Sequence, residues 1–160
     1  MRMVMAQLDP LVGDVQGNVE RIVQTVRHCY QDRPDLVIFP ELFLTGYPPR
    51  DLLERDWFID RVLQGVEKVK GLSQEYSETG ILFGAPVPTG TNSGKPLYNA
   101  AILMHRGEIV ATRPKVLLPS YDIFDEVRYF EPAPETQPVS FKGECLGIHV
   151  CEDAWADPAF

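Results

Sequence analysis

Residues 36–41 have the sequence Leu-Val-Ile-Phe-Pro-Glu, and this stretch decides the fold class. Four consecutive apolar residues at 36–39 predict a strand buried on both faces, which is typical of a sheet covered by helices. Glu41 follows this strand closely, and α/β sheets bind their ligands at the carboxyl ends of their strands. The stretch therefore predicts an α/β protein with an ionisable residue at its binding edge.

Strands and helical segments alternate along the rest of the chain. Further strands are predicted at 2–8, 81–83, 99–105, 108–112 and 146–150. Apolar residues recur at helical spacing between 19 and 30 and between 58 and 69, which predicts two helices. Asn18 is the expected N-cap of the first helix. Arg106-Gly107 lies between two predicted strands and indicates a β-hairpin.

Composition excludes several classes of protein. The chain has 160 residues, 44% of them hydrophobic, so it can form a core and is not intrinsically disordered. A net charge of −8 disfavours binding to nucleic acid or to an anionic membrane. No apolar run approaches the roughly 20 residues that cross a bilayer. We expect one domain, or part of one.

The cysteines and histidines indicate neither a disulfide framework nor a metal site. Cys29, Cys145 and Cys151 are an odd and sparse set, so a reducing cytoplasm is the expected compartment. The three histidines are scattered, without the spacing of metal ligands. We therefore expect no metal.

Three ionisable residues follow predicted strands: Glu41, Lys115 and Cys151. A thiol nucleophile, a carboxylate base and an ammonium that stabilises an oxyanion would together suffice for acyl transfer. Each residue also has a simpler explanation. Cys151 could be a small buried hydrophobe, Glu41 a capping residue and Lys115 a surface charge. Position alone leaves both interpretations open.

The local motifs favour the catalytic interpretation. Phe39-Pro40-Glu41-Leu42, 114–119 (PKVLLP) and 151–155 (CEDAW) resemble the Glu, Lys and Cys motifs of the nitrilase, or carbon–nitrogen hydrolase, superfamily. Within it the chain is most similar to the glutaminase domains of glutamine-dependent NAD synthetases. Residues 45–52, 118–126 and 128–132 carry this narrower resemblance.

The resemblance implies a fold and a site. The implied fold is a four-layer α-β-β-α sandwich, incomplete in this chain, and the implied activity is hydrolysis of the glutamine side-chain amide. Cys151 would be the nucleophile, Glu41 the general base and Lys115 the third catalytic member. Of the remaining implied site residues, Glu126 would be a supporting glutamate, Tyr121 and Phe124 would line the glutamine pocket, and the backbone N–H of Glu152 would help to bind the oxyanion.

Two neighbours of Cys151 have alternative explanations. His149 lies two residues before Cys151 on the predicted strand and could pair with it, but we expect it to be a packed polar residue, because the resemblance assigns the base to Glu41. Asp153 and Glu152 could suggest a metal site, but no further ligands lie near them in the sequence.

The resemblance also implies partners that this chain lacks. Cys151 lies nine residues from the end of the chain, so we expect 1–160 to be the N-terminal part of a glutamine amidohydrolase domain, without its synthetase domain. That domain would use ATP and Mg and accept the ammonia, whereas the glutaminase step itself needs no cofactor. A homo-oligomer is also expected. Two other functions remain open: a stand-alone amidase acting on another small amide or carbamoyl compound, and a non-enzymatic assembly protein.

Overall fold

The structure is a computed structural model that describes residues 1–155. The strands are β1 (Met3–Met5), β2 (Leu36–Ile38), β3 (Gly80–Pro88), β4 (Leu97–His105), β5 (Glu108–Pro114), β6 (Val139–Phe141) and β7 (Glu144–Leu146). The helices are α1 (Val15–Cys29), α2 (Asp56–Glu75) and the single-turn α3 (Glu126–Tyr129). Short 3₁₀ segments cover Tyr30–Asp32, Arg50–Glu54 and Cys151–Trp155.

Five strands form one sheet in the order β1-β2-β3-β4-β5. The first three strands are parallel, and β4 pairs antiparallel with β3 on one side and with β5 on the other. The hairpin predicted at Arg106-Gly107 is confirmed. Both turn residues have positive φ, 54° and 76°, as a two-residue turn between twisted strands requires.

Helices α1 and α2 cover one face of the sheet. Strand alternation points Val37, Ile81 and Phe83 toward them, and these side chains belong to the main core together with Ile22 of α1 and Phe58 of α2. All five are almost completely buried. Within residues 1–155, no helix is both long and apolar enough to cross a bilayer.

The N-terminus of α1 differs from the prediction. Asp14 is the N-cap, and its Oδ1 accepts the backbone N–H of Gly17 at 3.0 Å. Asn18 lies inside the first turn and is fully buried. Its amide bonds the backbone of Leu11 in both directions and also donates to the carbonyl of Leu44. The prediction of Asn18 as the cap was wrong, because this asparagine joins the helix to two loops.

A second, smaller layer lies on the opposite face of the sheet. The hairpin of β6 and β7 packs there, with Phe141 against Leu36 and Leu103. Ile148 and Val150 pack against Ala101 on the same face. The described residues thus form a helix layer, a five-stranded sheet and a two-stranded second sheet.

The strand predicted at 146–150 is mostly absent. Only Leu146 belongs to a strand, at the end of β7, and 147–150 have no strand partner within residues 1–155. The alternating apolar residues of this stretch instead lie on the face of the large sheet. Cys145 and Cys151 therefore do not share a strand, and the approach to Cys151 is an irregular segment.

Candidate active site

The backbone of Glu41 lies directly against β3. The N–H of Gly84 donates to the carbonyl of Pro40, and the N–H of Leu44 donates to the carbonyl of Gly84. A Cβ at Gly84 would lie 2.2 Å from the backbone N of Leu42 and 2.8 Å from the Cα of Glu41. Only glycine permits this close approach, so Gly84 determines how deeply Glu41 sits at the edge of the sheet.

Lys115 follows β5, and its side chain is completely buried. Its backbone N–H donates to the carbonyl of Asn99 on β4, which continues the pairing of the two strands past their last register pair. Its Nζ lies 2.8 Å from Oε1 of Glu41 and 3.0 Å from both carboxylate oxygens of Glu126. The predicted base, lysine and supporting glutamate therefore form one ion cluster.

The charges of this cluster hold one another in place. Burial alone would lower the pKa of Lys115, but its hydrogen bonds and charge interactions with Glu41 and Glu126 outweigh burial and raise it. Lys115 therefore stays protonated. Burial and the nearby charge of Glu41 raise the pKa of the Glu126 carboxyl, although Lys115 opposes this shift.

Two neutral side chains complete the shell around the carboxylates. The hydroxyl of Tyr47 donates to Oε1 of Glu126 at 2.9 Å, and burial and the charge of Glu126 raise the pKa of this phenol. Asn99 Nδ2 donates to Oε1 of Glu41 at 2.6 Å and to Oε2 of Glu126 at 3.2 Å. Both side chains supply hydrogen bonds that water would otherwise make to the carboxylates.

Cys151 opens the 3₁₀ segment Cys151–Trp155 with a φ of 44°, in the left-handed region that residues other than glycine seldom adopt. Asp153 holds this turn. Its Oδ1 accepts the N–H groups of Val116 and Leu117 at 3.0 and 2.9 Å, and its Oδ2 accepts the N–H of Val150 at 3.2 Å. The turn is thereby joined to the segment that begins at Lys115.

Glu41 and Cys151 line the same small cavity, of about 160 Å³. Cys151 is exposed, and one fifth of the Glu41 side chain is accessible. Partial burial and the charge of Glu41 raise the pKa of the Cys151 thiol, while Lys115 opposes this effect. The thiol therefore keeps its proton at neutral pH unless a neighbouring base removes it.

The other predicted residues have different surroundings. Tyr121 is exposed and its hydroxyl donates to Oε2 of Glu152 at 3.0 Å, beside the Cys151 turn. Phe124 stacks edge-on against Tyr121 and also contacts Tyr47, with ring centroids 5.5 and 6.1 Å apart. Neither aromatic ring lines the cavity of Glu41 and Cys151. His149 borders that cavity and is exposed, so the expectation of a packed histidine was wrong.

The roles of three residues at the site were not predicted from the sequence. These residues are Tyr47, Asn99 and Asp153, which bridges the Cys151 turn to the segment after Lys115. Asn99 carried a usable signal, because it is a polar residue next to the apolar run Ala100–Met104 of a buried strand. A buried asparagine is expected to have partners. Tyr47 and Asp153 reach their partners through turns, which hydrophobic periodicity does not describe.

The site defines a class of protein in chemical terms. A thiol shares a cavity with a carboxylate, and a buried ammonium holds that carboxylate from behind. Such an arrangement can deliver a nucleophile and move a proton, which is the chemistry of hydrolases that form an acyl-enzyme. Residues 3–158 match the family described as carbon-nitrogen hydrolase, so the chain belongs to that family.

Similar proteins narrow this assignment. The chain is 36% identical over 155 residues to the glutamine-dependent NAD(+) synthetase of Thermotoga maritima, a match that covers 97% of this chain and 26% of the relative. The structure of glutamine-dependent NAD+ synthetase from Acinetobacter baumannii superimposes with a TM-score of 0.83 at 30% identity, over 96% of this chain and 28% of that one. The chain thus spans about a quarter of the length of these relatives.

A smaller protein has the same fold. An amidase from Nesterenkonia sp. superimposes with a TM-score of 0.81 over 94% of this chain and 55% of that chain, at 24% identity. Together with the family match, these likenesses confirm the nitrilase-like fold expected from the sequence, as an incomplete α-β-β-α sandwich.

Proposed function

We propose that this chain is the N-terminal part of a glutaminase domain that hydrolyses the side-chain amide of glutamine and supplies ammonia to an NAD synthetase domain. The observation that carries the proposal is the 2.8 Å contact between Lys115 and Glu41 beside the cavity that Glu41 shares with Cys151. The similarity to NAD synthetases over 97% of the chain supports glutamine over other amides.

The first half-reaction forms a thioester. Glu41 accepts the proton of the Cys151 thiol as sulfur attacks the amide carbon, and the carbonyl oxygen takes up negative charge. The backbone N–H of Glu152 is the candidate donor to this oxygen, and one such donor contributes about 10²- to 10³-fold in rate. The ammonium of Lys115, whose hydrogens go to Glu41 and Glu126, favours the developing negative charge electrostatically. Glu41 then returns the proton to the leaving nitrogen, so ammonia departs and the glutamyl thioester remains on Cys151.

The second half-reaction restores the enzyme. Glu41 accepts a proton from water, and the resulting oxygen nucleophile attacks the thioester carbon. As the carbon–sulfur bond breaks, Glu41 returns the proton to the sulfur of Cys151. Glutamate is released. Lys115 and Glu126 keep Glu41 in place through both halves. Tyr121, whose hydroxyl bonds Glu152 next to Cys151, and Phe124 stacked on it lie outside the cavity and form the outer wall of the proposed glutamine pocket. This step needs no metal or organic cofactor, whereas ATP and Mg belong to the synthetase domain.

The proposal extends to the protein's setting. The synthetase domain is the partner that accepts the ammonia, and the protein works in the cytoplasm as a homo-oligomer. All three cysteines are free thiols in the fold, in keeping with a reducing compartment.

The test is amide hydrolysis by the complete gene product. Ammonia release is measured from glutamine, asparagine and a short aliphatic amide, alongside NAD formation from glutamine or from free ammonia. We expect a clear preference for glutamine. We also expect Glu41→Gln to abolish the glutamine-dependent reactions while ammonia-dependent NAD synthesis continues. Faster turnover of the aliphatic amide, with no NAD synthesis, would favour a stand-alone amidase instead.

A further inference from the structure

Asn99 is a buried amide with an unusual set of partners. Only 1% of its surface is exposed, and both N–H bonds of its side chain are directed at carboxylates of the ion cluster. Its Oδ1 is buried and has no hydrogen-bond partner within residues 1–155. A buried carbonyl without a partner costs free energy. The two N–H donors of this amide must therefore make a favourable interaction that an apolar residue at this position could not make.

The orientation of the amide follows from its partners. Turning the side chain by 180° would place Oδ1 against the oxygens of Glu41 and Glu126, and like partial charges repel. Donation to both carboxylates is therefore the attractive arrangement while they are ionised. The main chain also aligns Asn99 with the cluster, since its carbonyl accepts the backbone N–H of Lys115 at 2.8 Å.

The two oxygens of Glu41 consequently differ. Oε1 receives two donors, Nζ of Lys115 at 2.8 Å and Nδ2 of Asn99 at 2.6 Å. Oε2 accepts no hydrogen bond from the part of the chain that the structure describes. One oxygen is thus anchored from behind, and the other remains available to the cavity that contains Cys151.

We propose that Asn99 is a positioning residue for the reaction: its amide anchors Oε1 of Glu41 and leaves Oε2 as the oxygen that exchanges the proton with Cys151. This inference rests on the proposed function in that Glu41 is the base. Lys115 alone does not fix Glu41, because its ammonium is shared with Glu126. Asn99 supplies the second anchor that stops the carboxylate from rotating about its Cγ–Cδ bond.

The proposal predicts a defect in rate and pH dependence more than in substrate binding. In Asn99→Ala, kcat for glutamine should fall about 10²-fold, because the base is no longer held in its productive geometry, while KM changes less than about threefold. The acid limb of kcat/KM should move to higher pH, since carboxylates that lose an N–H donor hold their protons more tightly. Asn99→Ser, which retains one donor, should lie between Asn99→Ala and wild type.

A second measurement does not require glutamine turnover. Iodoacetamide is a small neutral electrophile, and its rate of reaction with Cys151 can be followed across pH by mass spectrometry. Removal of the Asn99 donors leaves the negative charge near the thiol less compensated. The alkylation midpoint of Cys151 in Asn99→Ala should therefore move to higher pH.

The matched control is Asn18→Ala. Asn18 is also a fully buried asparagine with three hydrogen bonds, and none of them goes to the ion cluster. This variant should be less stable than wild type, but its pH profiles of kcat/KM and of Cys151 alkylation should be unchanged. Asn99→Ala or Asn99→Ser with unchanged kcat and unchanged profiles would overturn the proposal, as would a rate loss equal at all pH values. A further outcome separates the two proposals. If the complete wild-type protein shows no glutamine turnover but Asn99→Ala still shifts the alkylation midpoint of Cys151, the proposed function fails and the role of Asn99 stands.

Discussion

Asp153 and Leu117 are joined by a 2.9 Å hydrogen bond from the backbone N–H of Leu117 to Oδ1 of Asp153. The same oxygen accepts the N–H of Val116, and the other oxygen accepts the N–H of Val150. One buried carboxylate thus fixes the position of the Cys151 turn relative to the segment that carries Lys115. Cys151 and the ion cluster of Lys115, Glu41 and Glu126 are positioned together rather than separately.

The first prediction concerns this carboxylate. Asp153→Ala leaves three backbone N–H groups without their acceptor, so the Cys151 turn should loosen. A displacement of about 1 Å at a reacting group costs roughly 10²-fold in rate, and we expect kcat for glutamine to fall by about that factor. Steady-state kinetics on the complete gene product measures it. Asp14→Ala, which removes the N-cap of α1, should cost about 1 kcal/mol of stability without a comparable loss of kcat. Equal kinetic effects in the two variants would contradict the account.

Lys115 should be required for stability as well as for activity. Lys115→Met keeps most of the apolar volume but leaves Glu41 and Glu126 facing each other without a counter-charge. Breaking a buried ion pair in this way costs about 3–5 kcal/mol. We expect a loss of that size in the free energy of unfolding, measured by urea denaturation, together with loss of glutamine hydrolysis. The loss should shrink as the pH is lowered, because protonated carboxyl groups no longer need the ammonium.

A surface lysine provides the control for that experiment. Lys142 pairs with Asp35 at 2.9 Å, and both side chains are partly accessible. Pairs of this kind contribute about 0–1 kcal/mol. Lys142→Met should therefore have a small effect on the free energy of unfolding. A Lys115→Met protein as stable as Lys142→Met would show that the buried cluster does not depend on the ammonium.

Gly84 should be intolerant of even one methyl group. A Cβ at this position overlaps the backbone of Glu41 and Leu42, which cannot move without shifting the Glu41 carboxylate. We expect Gly84→Ala to lower kcat for glutamine by roughly 10²-fold. Gly71 in α2 has open space around it, and Gly71→Ala should be neutral or stabilising by up to about 1 kcal/mol. Full activity in Gly84→Ala would mean that the position of Glu41 is less restricted than the contact distances imply.

The thiol of Cys151 should titrate above the range of an ordinary cysteine. Partial burial and the charge of Glu41 both favour its protonated form, so less thiolate is present at any given pH than in a free cysteine. The rate of alkylation by iodoacetamide should therefore have its midpoint at a higher pH than that of a cysteine peptide. Glu41→Gln removes the negative charge and should move the midpoint downward. A midpoint below that of the peptide would contradict the electrostatics described for the site.

The proximity of Glu41, Lys115 and Cys151 was easier to predict from the sequence than the local structures around them. Glu41 and Lys115 follow strands whose apolar runs are unmistakable, and parallel or hairpin pairing brings such strand ends to one region. Cys151 was placed correctly near them although its predicted strand was wrong. Alternating apolar residues at 146, 148 and 150 give the same signal whether they belong to a strand or lie on another sheet's face.

The residues that the sequence did not predict depend on contacts between distant parts of the chain. Asn99 meets Glu41 across 58 positions, and Asp153 meets Val116 across 37. Local rules also failed at α1, where Asp14 and Asn18 are both acceptable caps by type. The choice between them is made by Leu11 and Leu44, whose backbone groups bond the amide of Asn18 inside the helix.

The most direct test of the central claim is covalent labelling of the nucleophile. A glutamine-mimicking diazoketone is incubated with the complete gene product, and the labelled cysteine is identified by peptide mapping. We predict a label on Cys151 alone, prevented by excess glutamine, with Cys29 and Cys145 unmodified. A label on Cys145, or labelling of Cys151 that glutamine does not prevent, would contradict the assignment of Cys151 as the residue that forms the glutamyl thioester.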